Sequence, residues 1–220
     1  MTSFIKLLLC ALLVALATGC ATNQKPYDYT AFRQNQPKSI VVLPPLNNSP
    51  DIRATYSFLS TVTYPLAEAG YYVFPVALVD QTFKENGLTQ PADMHQAPVQ
   101  KLAEIFGADA ALYITVEKYG AVYTVINSAV VVTANAKLVD LKTGVTIWNG
   151  QASASSEEGN NQNNGGLLGA LIAGIIKQAI NNAGDRGRDI SAVASQRLLS
   201  ARPNGILYGP RSAKFGKDAP

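Results

Sequence analysis

The sequence predicts an α/β domain in which a mixed sheet joins an N-terminal βαβ unit to an antiparallel meander, flanked by helices. Two observations carry this. Ser39 to Leu46 and Tyr71 to Phe74 are short β-branched and aromatic runs, and between them apolar residues recur at helical spacing. From Ala110 to Ala154 the apolar period changes to two, broken by a glycine-containing turn.

Residues 1–19 have the layout of an export signal. Lys6 gives a positive start, Leu7 to Ala17 is an uncharged apolar run, and Ala17-Thr18-Gly19-Cys20 follows with small residues and a thiol. The run is shorter than the about 20 residues of a membrane-spanning helix. A plain secretory signal would end in an Ala-x-Ala-like site, whereas here the small residues abut Cys20. This resembles the lipobox of bacterial lipoproteins, although the usual Leu is displaced by Ala17. The resemblance implies that Cys20 receives lipid and becomes the acylated N-terminus, a palmitate-carrying anchor. Ala21, where an Asp would resemble an inner-membrane retention signal, favours the outer membrane. Either the periplasmic face or the cell surface is compatible with it.

Residues 20–38 are polar with Pro26 and Pro37, and the composition predicts a tether from the lipid to the domain. Fully extended, it would reach up to ~60 Å. Tyr27, Tyr29 and Phe32 alternate within it, either docking on the domain or at the membrane interface, or standing as scattered exposed aromatics on a free tether. The domain itself is expected over 39–210.

Its first strand is Ser39 to Leu46, halted by Pro44-Pro45. A helix start follows, with Ser49 as N-cap, Pro50 in the first turn and Asp51 at the positive dipole end. Thr55, Leu59, Val62 and Leu66 mark its buried face, Pro65 is expected to kink or interrupt it, and Gly70 ends it. Tyr71 to Phe74 returns as a strand, so a parallel pairing with the first is expected. Val76, Val79 and Phe83 then share one helical face before Gly87; Val99, Leu102, Ile105 and Phe106 share another before Gly107. A polar loop between them holds His95.

In the meander, Leu112, Ile114 and Val116 face one way on the first strand. Ile126, Val130, Val132, Ala134, Ala136 and Leu138 do so on a second, longer one, expected over Val122 to Leu138. Asp140 to Gly144 forms a hairpin loop and Val145 to Ala154 returns. Asn160 to Asn164 is a polar loop, Gly166 to about Ile180 an apolar helix, and Ile190, Val193 and Leu198 mark the final helix. Residues 211–220 form a basic tail expected to fray.

Composition excludes several function classes. Loss of Lys6 with the signal lowers the formal net charge from +3 to +2, too little for a nucleic-acid footprint. Cys10 leaves with the signal and Cys20 is committed to lipid, so no disulfide staples the fold. His95 is the sole histidine and cannot build a His/Cys metal site. A Ser-His-Asp triad would have to use His95, and no Gly-x-Ser-x-Gly elbow is present. Glu157 and Glu158, taken as strand neighbours, would point to opposite faces. Gly165-Gly166 precedes a helix without the Lys-Ser/Thr of a phosphate loop. The expectation is therefore no catalytic residue, no cofactor, no metal and no small-molecule substrate.

Three stretches resemble known families. Ser39-Ile40-Val41-Val42-Leu43-Pro44-Pro45-Leu46-Asn47-Asn48-Ser49 is similar to the first strand of the TolB N-terminal-domain superfamily, which includes the curli secretion-channel lipoprotein. Leu138 to Trp148 is similar to a hairpin recurring there. More specifically, Tyr27 to Arg211 resembles the Neisserial-type surface lipoproteins of unknown function, on Glu68 to Pro75, Gly166 to Leu171 and Asn204 to Leu207. The resemblance implies a TolB-like fold and brings no catalytic residues.

Two functions follow. One is a non-catalytic binding and assembly module anchored in the outer membrane; the other is a subunit of a curli-channel-like secretion pore. A pore needs strands of about 9–11 residues with apolar outward faces. Val122 to Leu138 is long enough, but the sequence offers no partner hairpin of equal apolarity.

The candidate interface is the helix from Gly166. Leu167, Leu168, Leu171, Ile172, Ile175 and Ile176 cover one face, while Gly166, Gly169, Ala170 and Ala173 lie opposite. Gly166, Ala170 and Gly174 recur every four residues, as small-xxx-small contacts do. The small face is expected to meet a second helix, from a homodimer partner, from another envelope lipoprotein, or from the Ile190 to Leu198 helix of the same chain.

Overall fold

The computed structural model describes residues 27–123, 128–160, 172–177, 185–201 and 205–217. Strands β1 (Ser39–Val42), β2 (Leu46–Asn47), β3 (Tyr72–Val73), β4 (Ala110–Tyr123), β5 (Ser128–Asp140) and β6 (Thr146–Ser155) form one sheet, ordered β3-β1-β4-β5-β6 with β2 also on β4. β1 runs parallel to both β3 and β4, β2 runs parallel to β4, and β4-β5-β6 is an antiparallel meander. The mixed sheet expected from the sequence is therefore present.

β1 is buried on both faces, which is why it reads as an unbroken Ile-Val-Val-Leu run. Ile40 and Val42 face one layer of helices, and Val41 and Leu43 the other. The first layer holds α1 (Thr30–Asn35), α2 (Ala54–Leu59), α3 (Thr63–Glu68) and α7 (Arg186–Leu199), anchored by Phe32, Phe58, Leu66 and Leu198. The second holds α4 (Val76–Glu85), α5 (Pro91–His95) and α6 (Val99–Phe106), anchored by Phe83, Met94 and Leu102. That second layer leaves β6 and most of β5 uncovered. There the outward residues Thr133, Asn135 and Lys137 of β5 and Asn149, Gln151 and Ser153 of β6 are polar, and the Thr133 and Ser153 hydroxyls bond across the strands at 2.9 Å.

Four expectations change. Ser49 does not cap a helix: its hydroxyl donates to Asn47 Oδ1, and Asp51 and Arg53 close a turn before Ala54. The interruption expected at Pro65 in the helix over Thr55 to Leu66 falls instead at 60–62. Pro65 sits in the first turn of α3, where a missing N–H costs nothing. The long strand over Val122 to Leu138 is divided, because β4 continues to Tyr123 and turns back onto β5 with Tyr123 opposite Ser128. Ile126 lies outside the described residues. Glu157 and Glu158 lie in a 3-10 helix, Ser156–Asn160, and Glu158 pairs with Arg197.

The two chain ends also differ from the expectation of a free tether and a frayed tail. Tyr29 and Phe32 are buried, so residues 27–38 belong to the domain. Beyond Gly209 the chain holds on to the α3–β3 corner: Gly209 N–H donates to Ala69 O at 2.7 Å and Arg211 N–H to Gly70 O at 3.1 Å. The rest of the sequence-derived 20–38 segment, residues 20–26, lies outside the described residues.

Candidate functional site

One end of the domain is built by residues 27–38 and 205–217 together. Asn149 N–H at the edge of β6 donates to the Tyr27 hydroxyl at 2.9 Å. The Tyr27 ring packs on Tyr29 at 4.7 Å and Tyr29 on Phe32 at 6.3 Å, an aromatic run that lies over the end of the sheet. Tyr29 donates its hydroxyl to Gly205 O, and Tyr71 donates to Leu207 O at 2.6 Å. The segment 205–217 is thereby pinned between α1 and β3. A cavity of about 220 Å³ opens there, lined by Phe32, Arg33, Tyr71, Leu207, Tyr208 and Phe215. Gly70, at φ +95°, permits the closest approach: a Cβ there would meet Ser212 N and Gly209 O.

Cys20, Gly166, Gly169 and Ala170, four of the residues singled out from sequence, lie outside the described residues. Ala173 and Gly174 fall in the helical segment 172–177. Ile176 there is buried, and Ile172 and Ile175 pack against the same core. Gly174 is exposed, and no described atom would touch a Cβ added to it.

His95 is not a solvated loop residue. It ends α5, its Nε2 bonds Pro44 O at 2.9 Å, and its ring meets Tyr113 edge-on at 5.3 Å. Lys137 Nζ lies 5.0 Å from the same tyrosine ring. Burial holds the imidazole below its ordinary range; the Pro44 bond opposes this and Lys137 adds to it. The folded state therefore resists a proton that the unfolded chain accepts as pH falls through about 6.5. His95→Gln keeps a donor for Pro44 O. It is expected to flatten the loss of stability on acidification below about pH 6.5, read as urea midpoint against pH. An unchanged slope would show that His95 stays accessible to protons in the fold.

A second polar cluster is structural. Asp185 caps α7 through Arg188 N–H, accepts the Ser57 hydroxyl at 3.2 Å and the Tyr119 hydroxyl at 3.3 Å, and lies 3.9 Å from Arg53. Burial is the main cause that pushes the Tyr119 phenol up to about 12, so at neutral pH it stays a donor. Among the described residues no group of three or more His, Cys, Asp or Glu is placed to hold a metal ion. Among them, too, no helix is long and apolar enough to cross a membrane. Two larger concavities lie elsewhere: one of about 480 Å³ between α4 and α6 is mainly apolar, with Phe83, Leu102, Ile105 and Phe106 in its wall, and one of about 450 Å³ is lined by Tyr64, Glu68, Gln196, Tyr208 and Lys214.

The docked aromatics of 27–38 and the glycine contact at 70 are what sequence reasoning left open or missed. The alternation of Tyr27, Tyr29 and Phe32 was the signal for the first; the second had none beyond a helix-ending glycine.

Comparison with known proteins places the whole described domain in one group. The family described as GNA1162-like, a lipoprotein family, matches residues 27–211. The chain belongs to the GNA1162-like lipoprotein family. Lipoprotein NMB1124/NMB1162 of Neisseria meningitidis serogroup B is 48% identical over 200 residues, covering 90% of this chain and 92% of that protein. The crystal structure of lipoprotein GNA1162 from Neisseria meningitidis has a TM-score of 0.53 at 49% identity, covering 66% of this chain and all 100% of the solved one. The LpoB C-terminal domain from Salmonella enterica has a TM-score of 0.39 at 19% identity, over 58% of this chain and 98% of its own. The Neisserial-type resemblance on Glu68 to Pro75 and Asn204 to Leu207 is thus a family relationship.

Proposed function

We propose that this lipoprotein is a non-catalytic binding and assembly module, held to the outer membrane by lipid on Cys20. The observation that carries this is how little chain separates Cys20 from the fold. Tyr27 is already docked on β6, so only residues 21–26 intervene, and they span at most ~25 Å. Such a short lead suits a domain that works at the membrane surface, where other envelope proteins are presented to it. Ala21 after the cysteine supports the outer membrane as its location.

Self-association through the small face of the 166–180 helix is the partner contact we favour. The exposure of Gly174 supports it, because within this chain no described atom uses that position. A pore subunit is the second reading, favoured by one observation: β4 and β5 pair over 14 and 13 residues, longer than the about 9–11 that a spanning strand needs. Against it, Tyr119 and Val132 near the hairpin's end are buried in the helical layer, so one face is already covered by the chain's own residues.

Cys20→Ala is the test. The variant is expected to move from the membrane to the soluble periplasmic fraction, still folded, and to lose palmitate label, because the anchor lies outside the core. Label persisting in the variant would sink the anchor. Sedimentation of the released protein reads self-association, with a strictly monomeric species removing the homodimer; rings of the extracted parent in electron micrographs would favour the pore.

A further inference from the structure

We infer that the end of the domain where the two termini meet is a basic surface that seats on anionic phospholipid headgroups. This rests on the Cys20 anchor and adds to it a defined face and a lipid chemistry. Five cations gather there. Arg33 lines the cavity beside Phe215 and Gly216, and Lys38 O accepts the Tyr72 N–H. The Arg211 guanidinium lies 5.3 Å from the Tyr72 ring, Lys214 Nζ 5.5 Å from the Tyr208 ring, and Lys217 N–H donates to Lys214 O. All five side chains are exposed, and none pairs with a carboxylate among the described residues. Of the neighbouring acids, Asp109 is occupied by the N–H groups of Lys38 and Ser39 and by the Ser39 hydroxyl, Asp28 Oδ1 accepts the Thr30 N–H, and Glu68 lines one concavity together with Lys214.

Sequence alone disperses these charges between residues 33 and 217. The fold assembles them because 205–217 is bonded to α1 and β3. The anchor then decides what they face. The Tyr27 ring is stacked through Tyr29 onto Phe32, which lines the same cavity as Arg33, so the lipidated lead leaves the domain beside the patch. A lead of at most ~25 Å keeps the patch close to the bilayer, and each excursion to the surface brings it within a Debye length of about 8–10 Å. An acyl anchor together with a polybasic face is the two-signal arrangement that holds proteins stably on membranes. Phe215, 40% exposed among these cations, is placed to enter the headgroup region. Seated this way, the domain carries the β4–β5 hairpin end away from the bilayer, because that end lies opposite the β5–β6 turn and the docked N-terminal segment.

The test uses the full chain with Cys20→Ala, so that no acyl chain contributes. Co-sedimentation compares phosphatidylcholine vesicles with vesicles that also contain phosphatidylglycerol. The expected result is binding to the anionic vesicles only, weakened by added salt. Lys214→Gln and Arg33→Gln are each expected to lower the partition coefficient about five-fold. Lys101→Gln on α6, away from the patch, should leave it unchanged. All three positions are exposed, and matching thermal midpoints exclude misfolding. Equal binding to both vesicle types, no binding, or insensitivity to Lys214→Gln and Arg33→Gln would overturn the proposal. Palmitate labelling of the parent reads the anchor separately, so this face can fail while the lipid on Cys20 stands.

Discussion

Trp148→Ala is expected to lower the free energy of unfolding by about 3–5 kcal/mol, a large share of the stability of a domain this size. Trp148 is 1% exposed on β6, paired opposite Leu138, and faces the layer of α7. Gly150 leaves its ring room: a Cβ there would meet Cζ2 and Cη2 of the indole. Removing the ring opens a cavity under α7 that the two-stranded end of the sheet cannot close. Its indole Nε1 is buried with no hydrogen-bond partner among the described residues. An orphaned donor of that kind costs about 1–3 kcal/mol. Trp148→Phe removes the donor with less volume and is therefore expected to cost clearly less than Trp148→Ala. Urea midpoints of both variants, in the Cys20→Ala background, test this. A loss below about 1 kcal/mol for Trp148→Ala would mean that the layer repacks around the site.

Gly70→Ala is expected to cost about 3 kcal/mol, the sum of backbone strain and of two contacts that cannot yield. At φ +95° an L-residue is strained wherever it sits. Here the added Cβ would also lie 2.5 Å from Ser212 N and 2.9 Å from Gly209 O, both backbone atoms. Relief requires the 209–212 segment to lift, which breaks the bonds from Gly209 N–H and Arg211 N–H. Trypsin should then cut at Arg211 and Lys214 faster than in the parent. Gly87→Ala separates the two causes, because Gly87 has φ +83° with open space around it and should show the strain alone. Equal losses in Gly70→Ala and Gly87→Ala would refute the steric half of the argument.

Strands were legible where the pattern was periodic and the ends were punctuated. β1 announced itself by its β-branched run, and the β5–β6 turn by Asp140, whose carboxylate accepts Thr143 N–H at 2.7 Å, with Gly144 at positive φ. The β4–β5 turn was hidden because no glycine or proline stands between Val122 and Ser128, so the apolar alternation ran on through it. Helix starts failed where side chains found other partners, as Ser49 found Asn47. Contacts made by segments far apart in sequence leave no local trace. The Asp185 cluster joins residues 53, 57, 119 and 185, and the cation patch joins residues 33 to 217; neither has a spacing to read.

The bonds between the two chain ends also fix an order of events. A chain made from its N-terminus exposes Tyr29 and Phe32 early, whereas Gly205 and Phe215, which complete their surroundings, follow only after every strand of the sheet. The aromatic run therefore stays open to solvent until the polypeptide has emerged through residues 205–217, and their docking latches residues 27–38 onto the finished sheet.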